Sequence, residues 1–154
     1  MRGKKAIKRK ISQDIKYSSI NVEKFINRLM KDGKKSLARE IVYNALEKSS
    51  NELKENPLNI FDKVIDNVSP SVEVKSRRLG GANYQVPVPV SPDRQVTLAI
   101  RWIITAARDK KGMPLEDRLT REFVDAFNNT GAAIKKKTDI EKMAESNKAF
   151  SHLA

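Results

Sequence analysis

Apolar residues recur with two different periods along this chain of 154 residues. After Val22, the residues Phe25, Ile26, Leu29 and Met30 follow at i+3, i+4, i+7 and i+8, one face of an α-helix. Asn21 is the expected cap of that helix and Gly33 its expected close. A second helix is predicted from about Ser36, with Leu37, Ile41, Ala45, Leu46 and Leu53 inward and Asn56-Pro57 ending it. Asn56 then caps a third helix with Pro57 at its first position, and Phe61, Val64, Ile65 and Val68 form the inner stripe. Ser69-Pro70 stops it, because a proline disfavours the helical conformation of the residue before it.

Between Val72 and Val90 the period drops to two. Val72, Val74 and Ser76 alternate with Glu73, Lys75 and Arg77; after Gly80-Gly81 the chain returns through Tyr84, Val86, Val88 and Val90. This pattern predicts a β-hairpin with a glycine turn. Pro87 and Pro89 stand two apart, so their nitrogens face the same side of the return strand. Proline is tolerated in a strand only where its nitrogen faces away from a partner, so the return strand is an edge and the hairpin a two-stranded ribbon. Such a ribbon is marginal alone and needs helices at its base or a ligand along its length.

Helical periodicity then resumes. Ser91-Pro92-Asp93 is a strong start, and the segment to Lys110 is apolar nearly all round, which marks it as the central helix. Pro114 opens a fifth helix with Leu115, Leu119, Phe123, Val124 and Phe127 inside. A sixth runs from about Ala132 to Asn147, or starts at Thr138, where Thr138 and Glu141 have capping-box spacing. The expected fold is mainly α: a single-domain bundle of about six helices, with a protruding two-stranded β-ribbon between helices three and four. Residues 1–11 are expected to form a flexible basic arm, and residues 12–154 the helical domain with the ribbon at 72–90.

Charge turns this outline towards a partner. Lys and Arg number 31 against 19 Asp and Glu, a net charge of +12, which points to an acidic polymer. The arm carries Arg2, Lys4, Lys5, Lys8, Arg9 and Lys10 and no acid. Lys34 and Lys35 sit at the turn into helix two; Lys75, Arg77 and Arg78 lie on the outgoing strand. Arg94, Arg101 and Arg108 recur every seven residues on one helix face, and Lys135, Lys136 and Lys137 stand together near the start of the last helix. Together these patches could surround a folded polyanion, and the planar arginine fork matches phosphate. Aromatic residues make up only 6%, which favours phosphate and groove-shape contacts over base stacking. Trp102 reads as core; Tyr84 reads equally as ribbon packing or a stacking platform.

Catalysis has little support. The chain has no cysteine, and its one histidine, His152, is third from the end. No Walker loop, zincin motif or nucleophile elbow is present, and the acids read as solvated helix-surface pairs. No cofactor or metal is expected. The basic N-terminus lacks the apolar stretch of a secretory signal, and no run approaches a bilayer span, so no membrane partner is expected.

The segment Val72-Glu73-Val74-Lys75-Ser76-Arg77-Arg78-Leu79-Gly80-Gly81-Ala82-Asn83-Tyr84-Gln85-Val86-Pro87 resembles the signature of small-subunit ribosomal protein seven, bacterial or organellar type. Asp32-Gly33-Lys34-Lys35-Ser36, Leu98-Ala99-Ile100-Arg101-Trp102-Ile103 and Met143-Ala144-Glu145-Ser146-Asn147-Lys148-Ala149-Phe150 agree, in the family's order, and the likeness covers essentially the whole chain. The resemblance implies a helical domain with a β-ribbon, bound to the 3′ major domain of small-subunit ribosomal RNA. It further implies early binding that organises the subunit head for other head and platform proteins. The ribbon and last helix would lie near exit-site transfer RNA and outgoing messenger. Carried over by position, the ribosomal RNA would meet the basic arm, Lys34, Lys35, Lys75, Arg77, Arg78, Arg94, Arg101 and Lys135, Lys136 and Lys137. Arg78, Gly80, Gly81, Lys142 and Lys148 would lie near transfer or messenger RNA. The expected location is the ribosome, in the cytoplasm or an organelle. The chain departs from the family at Glu141-Lys142, commonly His-Arg, and at Gln95, where a second Arg is frequent; it also stops at Ala154, short of the extension some members carry. The competing reading is an architectural DNA-binding protein using the arm and ribbon in a groove.

Overall fold

The computed structural model describes Gly3 and residues 10–153. In chain order its elements are α1 (Ile20–Leu29), α2 (Lys35–Leu53), α3 (Pro57–Val68), β1 (Val72–Leu79), β2 (Ala82–Pro89), α4 (Pro92–Asp109), α5 (Leu115–Phe127), α6 (Gly131–Ser146) and a 3₁₀ segment (Lys148–Leu153). The mainly helical architecture with a hairpin between the third and fourth helices is therefore the one the two hydrophobic periods predict. The basic arm falls almost wholly outside the described residues.

The core is held by rings from three helices. Phe25 of α1, Phe61 of α3 and Phe123 of α5 are fully buried. Their centroids stand 5.7, 5.7 and 6.4 Å apart, the spacing at which edge and tilted contacts add to area burial. Around this triangle α4 buries Leu98, Ala99, Ile100, Trp102, Ile103, Ile104, Ala106 and Ala107. The centre is shared, however, not held by α4 alone: α5 packs on α2, α3, α4 and α6, and α4 on α1, α3, α5 and α6.

Several local expectations need correction. Ser19, not Asn21, caps α1, its Oγ accepting from the Val22 amide at 3.5 Å. The α1 helix ends at Leu29, before Gly33. In α2 the buried face is Ala38, Val42, Ala45, Leu46 and Ser49: Ala45 and Leu46 of the predicted stripe lie in it, Ile41 and Leu53 pack half-buried beside it, and Leu37 is 52% exposed. Ala38 and Ser49, small residues that an apolar pattern does not single out, share this face with Val42 and Leu46, while Leu37 lies at its edge. The Ser91 hydroxyl makes no cap bond; instead its carbonyl accepts from the Arg94 and Gln95 amides, both at 2.9 Å. Within α5, Val124 and Phe127 are only half-buried, while Thr120, Glu122 and Ala126 are buried. Of the two proposed starts for the last helix the earlier is observed, at Gly131; Thr138 donates back to the Ile134 carbonyl at 3.1 Å.

Acids, read from sequence as solvated, include three that are buried and tie elements together. Asp14 accepts from the amides of Lys16 (3.1 Å) and Tyr17 (3.0 Å) and from the Tyr43 hydroxyl (2.7 Å). Burial first, and then that bond, push the Tyr43 phenol up to about 12. Glu23 on α1 is paired with Lys35 and lies 3.9 Å from Arg39, both on α2. Glu122, fully buried, accepts from the Ala133 amide at 2.9 Å and meets Lys110 Nζ at 2.8 Å. It joins α5 to the start of α6 and to the residue following α4. Burial would lower the Lys110 ammonium, but bonds from Glu122 and Asp125 outweigh it and leave the group above its ordinary value.

Candidate nucleic-acid interface

The ribbon is built by its turn. Gly80 and Gly81 have φ of 56° and 89°, the two left-handed central residues that a two-residue hairpin loop requires. This sets the register Leu79↔Ala82, Arg78↔Asn83 and Arg77↔Tyr84, down to Val72↔Pro89. Val72 and Val74 pair with Pro89 and Pro87, so both prolines occupy the same class of pair and β2 stays an outer strand. Support comes from the C-terminal elements: α6 lies against both strands, and the 3₁₀ segment against β2. Tyr84 packs on Phe150 with centroids 5.2 Å apart, and Val86 is fully buried. Of the two sequence readings of Tyr84, the structure shows ribbon packing.

Ion pairing sorts the predicted cations into two groups. Five have partners in the fold, four of them carboxylates and one, for Lys137, a backbone carbonyl. Lys35 is paired with buried Glu23; Arg94 donates from Nε and Nη2 to Glu73 at 3.3 and 3.2 Å; Lys137 donates to the Asn67 carbonyl, at the end of α3, at 2.8 Å. Lys75 also pairs with Glu73, at 3.0 Å, and Lys148 with Glu145, at 3.4 Å. Burial would raise the Glu73 carboxyl, but bonds from Lys75 and Arg94 overcome it and hold it below the ordinary range.

The second group has no acidic partner among the described residues: Lys10, Lys34, Arg77, Arg78, Arg101, Lys135, Lys136 and Lys142, all of them exposed. Arg101 on α4 and Lys136 on α6 meet at one cleft of about 360 Å³, which also takes in the edge of Trp102, 9% exposed. Lys34 stands at a different cleft, with Arg108 and two cations not singled out in the sequence, Lys31 and Arg118. A third groove of about 590 Å³ runs between the ribbon base and α6, where Val72, Pro87 and Pro89 face Glu141, Glu145 and Lys148. The departure at Glu141 thus points an acid at the ribbon. Arg2, Lys4, Lys5, Lys8 and Arg9 lie outside the described residues.

Arg108 and Arg118 were missed as a pair because their work crosses elements. Arg108 donates to the Leu29 carbonyl at 2.8 Å, closing α1, and Arg118 to the Lys110 carbonyl at 2.6 Å, just past α4. Spacing within either helix carries no sign of this. Among the described residues no group of three or more His, Asp or Glu could hold a metal ion, and no helix is long and apolar enough to cross a membrane.

A helical scaffold that pins some cations internally and leaves others unpaired on a ribbon, a helix face and cleft rims is, as a class, a polyanion-gripping protein. The profile of the family described as ribosomal protein S7p/S5e matches residues 1–148. The chain belongs to that family, whose members are structural ribosomal proteins and not enzymes. It is 55% identical to small ribosomal subunit protein uS7 of Petrotoga mobilis over 152 residues, covering 99% of this chain and 98% of that one. Identity to uS7 of Thermosipho africanus is 53% over the same shares, and to uS7A/uS7B of Cereibacter sphaeroides 55% over 96% and 94%.

Proposed function

We propose that this protein is a structural constituent of the small ribosomal subunit that binds the 3′ major domain of its ribosomal RNA and organises the head for later proteins. The observation that carries this reading is the unpaired cation set in a chain of this family: Arg77 and Arg78 on the ribbon, Arg101 with Lys136 at one cleft, Lys34 and Lys135 beyond them. Phosphates neutralised at several separated points on a stiff body fix the geometry of an RNA junction. Lys35, Arg94 and Lys137 reach the RNA, in this reading, from positions set by their internal bonds. The arm adds Arg2, Lys4, Lys5, Lys8, Arg9 and Lys10. The ribbon tip at Gly80-Gly81, with Arg78, Lys142 and Lys148, lies towards exit-site transfer RNA and messenger. The place of action is the ribosome, in the cytoplasm of a bacterial cell.

The test is competition between a 3′ major-domain RNA fragment and duplex DNA of equal length, with wild-type protein and the double variant Arg77→Ala, Arg78→Ala. The RNA is expected to win, and the variant to bind it more weakly at an unchanged melting temperature. Preference for the duplex would replace this reading with an architectural DNA-binding one. A parallel fall in melting temperature would make the two arginines structural.

A further inference from the structure

Residues 10–13 join the basic arm to the body, and among the described residues they make no hydrogen bond or ion pair. The first polar tie comes at Asp14, a carboxylate only 2% exposed. Its side chain bonds in two directions. Oδ2 accepts from the Lys16 and Tyr17 amides, closing an aspartate turn on its own chain, while Oδ1 accepts from the Tyr43 hydroxyl of α2 at 2.7 Å. The backbone closes the same loop: the Asp14 amide donates to the Ser19 carbonyl at 3.3 Å and the Ser18 amide to the Asp14 carbonyl at 3.0 Å. Ser18 has φ 49°, a left-handed value that a serine keeps only where its surroundings over-determine it. Tyr17 stands edge-on to Tyr43 with centroids 5.6 Å apart, and Lys16, paired with Glu47 of α2, covers the Tyr43 ring at 5.1 Å.

Ile11, three residues before Asp14, lies elsewhere, at a cleft of about 320 Å³ between α1 and α4 lined by Lys24, Asn27, Arg28, Thr97 and Ile100. Three residues reach about 10 Å at most, so the tie to α2 decides on which side of α1 the arm leaves the body. Arg28 on the cleft rim is exposed and has no carboxylate partner among the described residues. Thr97 shares one face of α4 with Arg94, three residues before it, and Arg101, four after it. A cationic arm whose root is fixed beside such a surface gives up less freedom on binding than one that must first find its direction. We infer that the Asp14–Tyr43 contact is a latch that fixes the root of the basic arm on the α1–α4 face, beside Arg28 and in line with Arg101. Asp14 and Tyr43 need touch no RNA for this; they are positioning residues. That the latch aligns the arm with RNA rests on the function proposed above; that it fixes the arm's root does not.

Two measurements test the latch, one of them without RNA. The chain has no cysteine, so Lys10→Cys gives a single site for a nitroxide. The label is expected to broaden the methyl resonances of Thr97 and Ile100. Tyr43→Phe keeps the ring on Tyr17 and removes only the hydroxyl; Asp14→Ala opens the turn as well. Each is expected to weaken the broadening, and broadening unchanged in both overturns the inference. Against a 3′ major-domain RNA fragment, the unlabelled full-length variants are expected to bind about tenfold more weakly, the cost of fixing about one freed residue anew. The same variants are also made in a full-length chain whose arm is neutralised by Arg2→Gln, Lys4→Gln, Lys5→Gln, Lys8→Gln and Arg9→Gln. There they are expected to leave the affinity unchanged, since misplacing an uncharged arm costs the RNA contact nothing. An equal loss with and without the arm charges makes the contact a support of the fold and overturns the inference. A chain that ignores the RNA but loses the broadening in both variants would keep the latch and remove the proposed function instead.

Discussion

At the residue scale, the sharpest constraint is Gly131. It has φ +91°, and a Cβ there would stand 2.8 Å from the Cβ of Asp125 and 3.3 Å from Glu122 Oε1. Both the backbone and the buried acid node exclude a side chain. Gly131→Ala is expected to destabilise by about 1–3 kcal/mol, lowering the melting point by roughly 2–4 °C per kcal/mol in a chain this size. Gly80 also has positive φ, but nothing lies within 4 Å of its Cβ position, so Gly80→Ala is expected to cost less in the same melt. Equal losses at the two sites would mean that conformation alone, and not the Asp125 contact, sets the cost. Trp102 gives a second residue-scale test. It is 9% exposed on α4, and Trp102→Ala is expected to cost about 3–5 kcal/mol in chemical denaturation. A loss near zero would make the ring a surface platform beside Arg101.

At the element scale, the ribbon depends on a carboxylate. Glu73 on β1 holds Arg94 on α4 and is held below its ordinary 4.5. A depressed folded value means this stability is full above 4.5 and is lost as the pH falls through the lower folded value. Hydrogen exchange of β1 amides is therefore expected to quicken on acidification more than that of α3, and Glu73→Gln to bring the faster exchange to neutral pH. Identical acid profiles for the variant and the wild type would detach the ribbon from Glu73. Elements of this kind differ in how plainly their sequence announces them. The third helix and the ribbon were legible end to end, because Asn56-Pro57, Ser69-Pro70 and Gly80-Gly81 act locally and their stripes are large apolar residues. The second helix was legible in extent and in part of its facing: Ala45 and Leu46 turn inward as predicted, but Leu37 points out and Ala38, Val42 and Ser49 take inward places that an apolar stripe of large residues does not mark. The buried acids Asp14, Glu23 and Glu122 were not legible at all: each is paired with a residue on another element or buried by one, and no local spacing records that. The candidate interface follows the same division. Its arginines and lysines could be named from charge, but which of them the fold would hold internally could not.

At the scale of the whole molecule, the proposed function predicts how the described body and the basic arm would divide the contacts to one RNA. The body offers unpaired cations at separated points, including Arg77, Arg78, Arg101 and Lys136, while Lys35, Arg94 and Lys137 are partly spent on internal bonds. Residues 1–9 carry five cations, Arg2, Lys4, Lys5, Lys8 and Arg9, and no acid. Each phosphate neutralised releases condensed counterions and adds about 0.7–0.9 to the slope of log affinity against log salt. If every arm cation meets one phosphate, deleting residues 1–9 flattens that slope by up to about 4. The Arg77→Ala, Arg78→Ala variant flattens it by up to about 2 by the same reasoning. Because the arm and the ribbon are separate parts of the chain, the two losses are expected to add when the changes are combined. The measurement is the affinity for the 3′ major-domain fragment across a salt series for all four proteins. An arm deletion that lowers affinity equally at every salt concentration would show that the arm makes no phosphate contacts. The electrostatic grip would then belong to the helical body and its ribbon alone.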